Sequence, residues 1–311
     1  MQSTLERPDK GRASHNGIRV VEYTDPYSIW CWGYEPLLRR FEVRYPHAID
    51  VEVRMGGLFE DFTPMRESWT RMSGGRWQDS IRAFFQGVAS QHRMPMDADA
   101  MMREIDDFRS TWPACVAFKA AEAQGREAGW RFLRAMREAV CVEGKQIAQA
   151  EVQREIARAT RLDEGRFAAA LADGSAEAAF AKDREECAEL GIAAFPTILV
   201  HRGGDVLRVD GWQPWEVFDD ALRKLAPDLA PRPLAASVAS VRDLLERYPR
   251  CATREVSAIL GTPDDEAELL LEELEADGNV VRRVAGTGLF WSLPAIAPPT
   301  PDRTERVRER A

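Results

Sequence analysis

The spacing of strand-like segments limits what this chain can fold into more than any other feature. Ile18–Tyr23 (IRVVEY) and Ile49–Met55 (IDVEVRM) read as strands, as do Thr197–His201 (TILVH) and Val206–Val209 (VLRV). From about residue 60 to 190 no convincing strand occurs. A sheet must therefore be assembled from two distant pieces, with helix between them. Tyr34–Tyr45 places Leu37, Leu38, Phe41 and Val43 at roughly helical spacing, and Pro36 fits only its first turns or a kink. Gly56-Gly57 ends the second strand. Strand, helix, strand makes a βαβ unit with a right-handed crossover. Gly203-Gly204 folds the later pair into a hairpin, and Trp215–Leu225 follows as a helix.

The intervening stretch predicts helices at Trp77–Gln91, Pro113–Gly125, Trp130–Val142, Ile147–Arg161, Glu164–Ala172 and Glu177–Leu190. Glycines tend to fall at their ends, as at Gly125, Gly174 and Gly191. Pro227, Pro231 and Pro233 mark a linker. Val238–Arg250, Thr253–Leu260 and Pro263–Asp277 then read as three short helices, and Asn279–Ser292 as a hairpin, which suggests a small winged-helix-like module. Leu269, Leu270 and Leu274 are its expected apolar face. Leu289, Phe290 and Trp291 serve either its own core or a docking surface. The expected organisation is a disordered lead at 1–16, a first sheet half at 17–58 and a helical insertion at 59–190. A second sheet half at 191–226, a linker at 227–236, the small module at 237–294 and a disordered tail at 295–311 complete it.

Composition narrows the function classes. The 311 residues are 45% hydrophobic and 30% charged, enough to bury a core. No stretch approaches the ~18–20 apolar residues of a membrane span. Residues 1–16 lack the apolar core of a secretory signal. The five cysteines are odd in number and far apart, so a reducing cytoplasm is the expected location rather than a disulfide framework. The four histidines show no spacing with cysteine that would suggest a metal. A net charge of −9 argues against nucleic acid. The third helix of the small module carries eight acids between 263 and 277 and no Lys or Arg, the wrong sign for phosphate.

Chemistry concentrates in Glu22–Pro36, EYTDPYSIWCWGYEP. Asp25-Pro26 is a turn signal and Ser28 a fitting N-cap, with Cys31 three residues on. In redox proteins a strand, a turn and a helix opening on Cys-x-x-Cys make a dithiol site. A hydroxyl at the first position ionises far above physiological pH and forms no disulfide, so cycling within this motif is excluded. Ser28 is then either a cap alone or a donor to a foreign thiolate held by the helix N-terminus. Cys31 is either a single-cysteine site or an inert buried thiol.

Five segments together resemble the DsbA-like branch of the thioredoxin superfamily: DPYSIWCWGYEP, VRMGGL, STWPACVAFKAAEAQG, LGIAAFPTILV and GWQPWEVFDDAL. The likeness spans residues 18–225 and is greatest to cytoplasmic bacterial members whose motif reads like DPxCPWCWxxEP, among them FrnE-like proteins and SpxH-type protease adaptors. It implies an α/β thioredoxin fold with an α-helical insertion covering the active-site turn. It also implies a cis peptide at Phe195–Pro196 facing that turn, with Ser28 and Cys31 in the catalytic positions. Tyr27, Trp30, Trp112, Phe195 and Pro196 would then surround a ligand, though packing alone accounts for most tryptophans. Cys115 reads as a packed helix residue.

The departure is that Ser28 stands where the family has its nucleophilic cysteine, and Ile29 where it usually has proline. Serine there is similar to kappa-class glutathione transferases and 2-hydroxychromene-2-carboxylate isomerases, where a hydroxyl holds the thiolate of bound glutathione. Three functions stay open. One is an oxidoreductase, transferase or isomerase using a single cysteine or a low-molecular-weight thiol such as glutathione, with no metal. The second is a non-catalytic adaptor of the SpxH type that binds a protein client. The third is a dedicated secondary-metabolism enzyme with a reshaped pocket. Expected partners are a small thiol or other small molecule, a client protein or a second copy of the chain, without nucleic acid or membrane.

Overall fold

The computed structural model describes residues 17–294; the lead at 1–16 and the tail at 295–311 lie outside the described residues. The chain enters through β1 (Ile18–Thr24), a one-turn α1 (Ile29–Trp32), α2 (Glu35–Arg44) and β2 (Ile49–Met55). Eight helices follow: α3 (Thr63–Met72), α4 (Trp77–His92), α5 (Ala98–Met102), α6 (Trp112–Glu122), α7 (Arg126–Cys141), α8 (Ala150–Ala159), α9 (Glu164–Ala172) and α10 (Ser175–Glu189). Then come β3 (Thr197–Arg202), β4 (Asp205–Asp210) and α11 (Trp215–Leu225). The strand order is β2-β1-β3-β4. β2 lies parallel to β1, with Ile18 beside Ile49, while β3 runs antiparallel to both β1 and β4.

Because β1 is central, both its faces are covered and its apolar pattern is nearly continuous. Ile18 and Val20 pack with Phe41 of α2 and Phe218 of α11 on one face. Val21 and Tyr23 pack with Cys187 of α10 on the other. Helix α10 also locks the end of β2, where Asp183 accepts from the Met55 amide at 2.9 Å and from Lys119 Nζ at 2.9 Å.

Helix boundaries differ from the sequence reading in instructive ways. The segment expected as Tyr34–Tyr45 is α2, cut off from α1 at Gly33 and Tyr34, with Pro36 in its first turn. Helix α7 starts at Arg126, earlier than the expected Trp130, and α8 ends at Ala159. Helices α3 and α5 were not anticipated. α3 buries none of its residues, and its only apolar stripe is the short series Met65, Trp69 and Met72.

The C-terminal unit comprises α12 (Val238–Arg247), β5 (Arg250–Ala252), α13 (Thr253–Leu260), α14 (Asp264–Ala276), β6 (Val281–Ala285) and β7 (Gly288–Ser292). Its sheet is antiparallel in the order β5-β7-β6. β5 corrects the sequence reading, which ran the first helix through Arg250. The apolar face of α14 is also corrected: Ala267, Leu271 and Leu274 are buried, whereas Leu269 is 66% exposed. Trp291 fills the unit's own core and donates from Nε1 to Thr253 Oγ1 at 2.8 Å.

This unit is bolted to the rest. Arg40 donates to the Ala258 carbonyl at 2.8 Å, and Arg44 to those of Ile259 and Leu260 at 3.2 and 3.3 Å. These cations sit on the last carbonyls of α13, where its dipole is negative. Arg39 pairs with the buried Glu255 at 3.1 Å. Phe290 meets Trp32 at 6.4 Å between ring centroids. At the hairpin tip, Thr287 N donates to Met96 O at 2.9 Å and Met96 N to Thr287 Oγ1 at 3.2 Å. Gly286 permits that approach: its φ is +55°, and a Cβ there would stand 1.9 Å from Met96 O.

Gly286→Val should therefore destabilise the chain by about 2–3 kcal/mol, combining backbone strain with a backbone clash. Gly278→Ala, at φ +73° with nothing within 4 Å of its Cβ, should lose about 1 kcal/mol from strain alone. Urea unfolding of both variants would show the difference. Equal losses would mean that the tip contact contributes nothing.

Candidate functional site

Tyr23 pairs with Thr197, so the turn leaving β1 and the Phe195–Pro196 peptide emerge at the same end of the sheet. That turn is built on Asp25, which is fully buried. Its carboxylate accepts from Tyr27 N at 2.8 Å, Leu58 N at 2.7 Å, Thr111 Oγ1 at 2.6 Å and Cys115 Sγ at 3.4 Å. One side chain thus ties together the turn after β1, the loop after β2 and the start of α6. Burial pushes its carboxyl pKa up, and these donors draw it back only in part. In sequence Asp25 showed only as a turn former.

Ser28 caps α1, its Oγ accepting from Cys31 N at 3.2 Å. Ser28 is 4% exposed and Cys31 fully buried. Burial first, and then the charge of Glu22, push the Cys31 thiol up to about 12. A reactive cysteine needs the opposite: exposure and a stabilised thiolate. Helix α1 spans only four residues, so the helix dipole expected to assist this position is weak. The other cysteines, Cys115, Cys141, Cys187 and Cys251, are also buried and free.

Beneath Cys31 runs a buried ionic chain. Arg137 donates to Glu35 Oε1 at 2.6 Å, Glu22 Oε1 at 2.9 Å and Thr24 Oγ1 at 2.5 Å. Glu22 Oε2 has no hydrogen-bond partner, and burial raises its carboxyl pKa more than Arg137 lowers it. Glu35 is also buried, but Arg137, Arg134 and Arg39 together bring its pKa below the usual value.

The Phe195–Pro196 peptide is cis. The Phe195 ring lies over Gly56, where a Cβ would come within 1.8 Å of it. Gly56 therefore leaves the space this ring fills, while a Cβ at Gly57 would meet Phe180 and Trp112 instead. Phe195 and Ser28 share a cavity of about 330 Å³ with Tyr27, Ile29 and Trp30. The insertion supplies most of the remaining wall, including Phe59, Phe62, Met65, Trp69, Phe84, Phe85 and Phe108. Tyr27 is held by its hydroxyl, which accepts from Ala148 N at 2.8 Å.

Among the residues expected around a ligand, Tyr27, Ser28, Trp30 and Phe195 meet at this cavity, and Pro196 follows directly from Phe195. Trp112 does not line it: its ring packs on Phe180 at 5.7 Å and beneath the Arg184 guanidinium at 3.8 Å. Cys31 lies behind Ser28 rather than on the wall. The aromatic wall from α3 and α4 was missed. Its one sequence signal was the density of Phe, Trp and Met between 59 and 108. Among the described residues no group of three or more His, Cys, Asp or Glu could hold a metal ion, and no helix is long and apolar enough to cross a membrane.

The Thioredoxin family model matches residues 22–220. The ClpXP adapter protein SpxH of Bacillus subtilis (strain 168) is 26% identical over 277 residues, covering 88% of this chain and 88% of its own. SpxH of Shouchella clausii is also 26% identical over 277 residues, with the same coverage. That span exceeds what residues 1–226 contain, so the likeness reaches the C-terminal unit. Among solved structures, the cytosolic disulfide reductase DsbM from Pseudomonas aeruginosa has 26% identity and a TM-score of 0.53, covering 67% of this chain and 100% of that one. A probable DsbA oxidoreductase from Streptomyces coelicolor, 23% identical, shares the fold with a TM-score of 0.54 over 70% of this chain and 93% of its own.

His92 gives this region a pH signature. It is 1% exposed at the end of α4, accepts from Met94 N through Nδ1 at 3.0 Å, and lies against Gly33. Burial, with Arg254 nearby, lowers its pKa to about 4 from 6.5. The unfolded chain therefore takes up this proton first. The penalty is absent above pH 6.5, grows as pH falls through that value, and reaches about 2 kcal/mol by pH 5. His92→Gln should be less stable than wild type at pH 7.5, with the gap closing by about that amount at pH 5 in urea unfolding. A gap that does not change with pH would exclude a neutral buried imidazole.

Proposed function

The chain belongs to the thioredoxin superfamily as a DsbA-like protein of the SpxH type, and from that premise we propose that it binds a protein client without disulfide chemistry. One observation carries the reading. The cleft beside the cis Phe195–Pro196 peptide is kept, while the position facing it holds a hydroxyl and the one nearby thiol is fully buried. Binding chemistry persists where redox chemistry has no nucleophile. The SpxH relatives support this, since they are named as ClpXP adapters and resemble the chain over its C-terminal unit as well. In this reading the chain is cytoplasmic and presents its client to a protease of that type.

We read the C-terminal unit as winged-helix-like from its helix–strand–helix–helix–strand–strand order. The acidic α14 suits a protein partner rather than phosphate. A second reading, an enzyme that borrows a small thiol, is favoured by the Ser28 hydroxyl on the cavity wall and by the DsbM structure described with GSH. Titration with glutathione separates the two: saturable binding in the micromolar range would favour the enzyme.

Wild type should show no insulin-reductase activity above background. Ser28→Cys should introduce it by placing a second thiol one turn from Cys31. A photo-reactive residue at position 195 should cross-link clients whose turnover by ClpXP rises equally with wild type and Cys31→Ser. Wild-type reductase activity that disappears in Cys31→Ser would overturn the adaptor reading. So would cross-linked proteins whose turnover is unchanged.

A further inference from the structure

The cavity beside Ser28 has a selectivity of its own, whether or not a client is captured. Its volume of about 330 Å³ falls in the range of small-molecule sites. Phe59, Phe62, Trp69 and Phe85 give it aromatic walls. Met65 and Phe84, each 39% exposed, stand where the wall reaches solvent.

The hydroxyl, amide and charged side chains on that wall are few, and most are already engaged. Tyr27 Oη accepts from Ala148 N at 2.8 Å and donates toward Gln146 Oε1 at 3.5 Å. Gln146 donates its amide to the Glu104 carbonyl at 3.3 Å. Lys145 is the one cation on the wall, and it is paired with Glu143 at 3.3 Å and Glu155 at 3.4 Å. The Ser28 oxygen accepts from Cys31 N at 3.2 Å and lies within hydrogen-bond reach of the Cys31 thiol, and its proton can rotate from that sulfur toward a ligand. An anion entering here would lose its water and find no free countercharge. Glutathione, with two carboxylates and one ammonium, meets the same obstacle.

We propose that this cavity is a binding site for a neutral, largely aromatic small molecule bearing one hydrogen-bond acceptor for Ser28. The aromatic walls supply apolar contact, an anion would have to draw Lys145 from its two carboxylates and is disfavoured, and Ser28 sets the orientation.

Two dyes with the same anilinonaphthalene body test the charge rule on the full chain. N-phenyl-1-naphthylamine is neutral, and 8-anilino-1-naphthalenesulfonate is anionic. The neutral dye should bind one to one, read by its emission and by tryptophan quenching, at least tenfold more tightly than the sulfonate. Phe84→Glu changes a part-exposed position, and circular dichroism would verify its fold. It should weaken the neutral dye at least tenfold. As competitors, 2-acetylnaphthalene should displace the dye at lower concentration than 2-ethylnaphthalene, and Ser28→Ala should erase that difference.

Equal or tighter sulfonate binding, an unchanged affinity in Phe84→Glu, or identical behaviour of the two competitors on wild type would overturn the proposal. Displacement of the neutral dye by glutathione would give the site to a thiol instead. None of these results depends on ClpXP turnover, so failure here and failure of the adaptor reading are distinguishable.

Discussion

Arg137 is the residue through which the separate parts of this chain are held in one arrangement. It projects from the helical insertion into the space between β1 and α2, pairing with Glu22 on one and Glu35 on the other. The chain of charges continues outward: Arg134 lies 3.9 Å from Glu35 and 3.1 Å from Glu255 of the C-terminal unit, which also meets Arg39. Burying these ions costs several kcal/mol each, which pairing offsets only when every partner is in place. Removing one leaves a stranded charge, typically a loss of about 3–5 kcal/mol. The network therefore contributes less net stability than definition: few other dockings of sheet, insertion and C-terminal unit satisfy it. It also fixes the character of the site, since the Glu22 carboxylate beneath Cys31 opposes a thiolate there.

How much of this was legible in the sequence depended on range. The four strands of the main sheet were visible because β1 and β3 bury short apolar runs, β2 alternates, and β4 pairs back across the Gly203-Gly204 turn. The Ser28 cap was visible because a cap is a local bond over three residues. Arg137 was not, because its partner Glu22 lies 115 residues away and a charged side chain on an amphipathic helix ordinarily faces water. Helix α3 contributes Met65 and Trp69 to a cavity wall but buries none of its residues, and its short stripe of Met65, Trp69 and Met72 was not read as a helix. β5 has three residues, too few for alternation to show. In α14 the run Leu269–Leu271 leaves the helical phase open, and packing resolved it in favour of Leu271 over Leu269.

The candidate site divided in the same way. Ser28, Phe195 and the cis peptide come together because they belong to the turn and loop that the sheet register brings to one end. Trp112, which belongs to a separate segment in the insertion, packs against Phe180 and Arg184 instead. A motif fixes where a backbone goes. The direction of a large side chain depends on the neighbours that its own sequence provides.

Ser28 heads α1 as its cap, and the thiol one turn on is fully buried. With Cys31 buried, the stretch from Asp25 to Trp32 is a structural corner, and Trp32 is its outermost brace. Trp32 Nε1 donates to Pro95 O at 2.9 Å, and the next residue, Met96, is gripped by Thr287 of the C-terminal hairpin. That short segment joins α4 to α5, and both helices supply cavity wall through Ile81, Phe85 and Met101. The wall is thus held from two sides, by the corner from Asp25 to Trp32 and by the C-terminal unit. Any occupant that shifts α4 or α5 must strain the contacts at Pro95 and Met96, through which the C-terminal unit rests on the insertion. The cavity wall and the C-terminal unit are joined in this chain by a two-residue step of backbone, Pro95 and Met96.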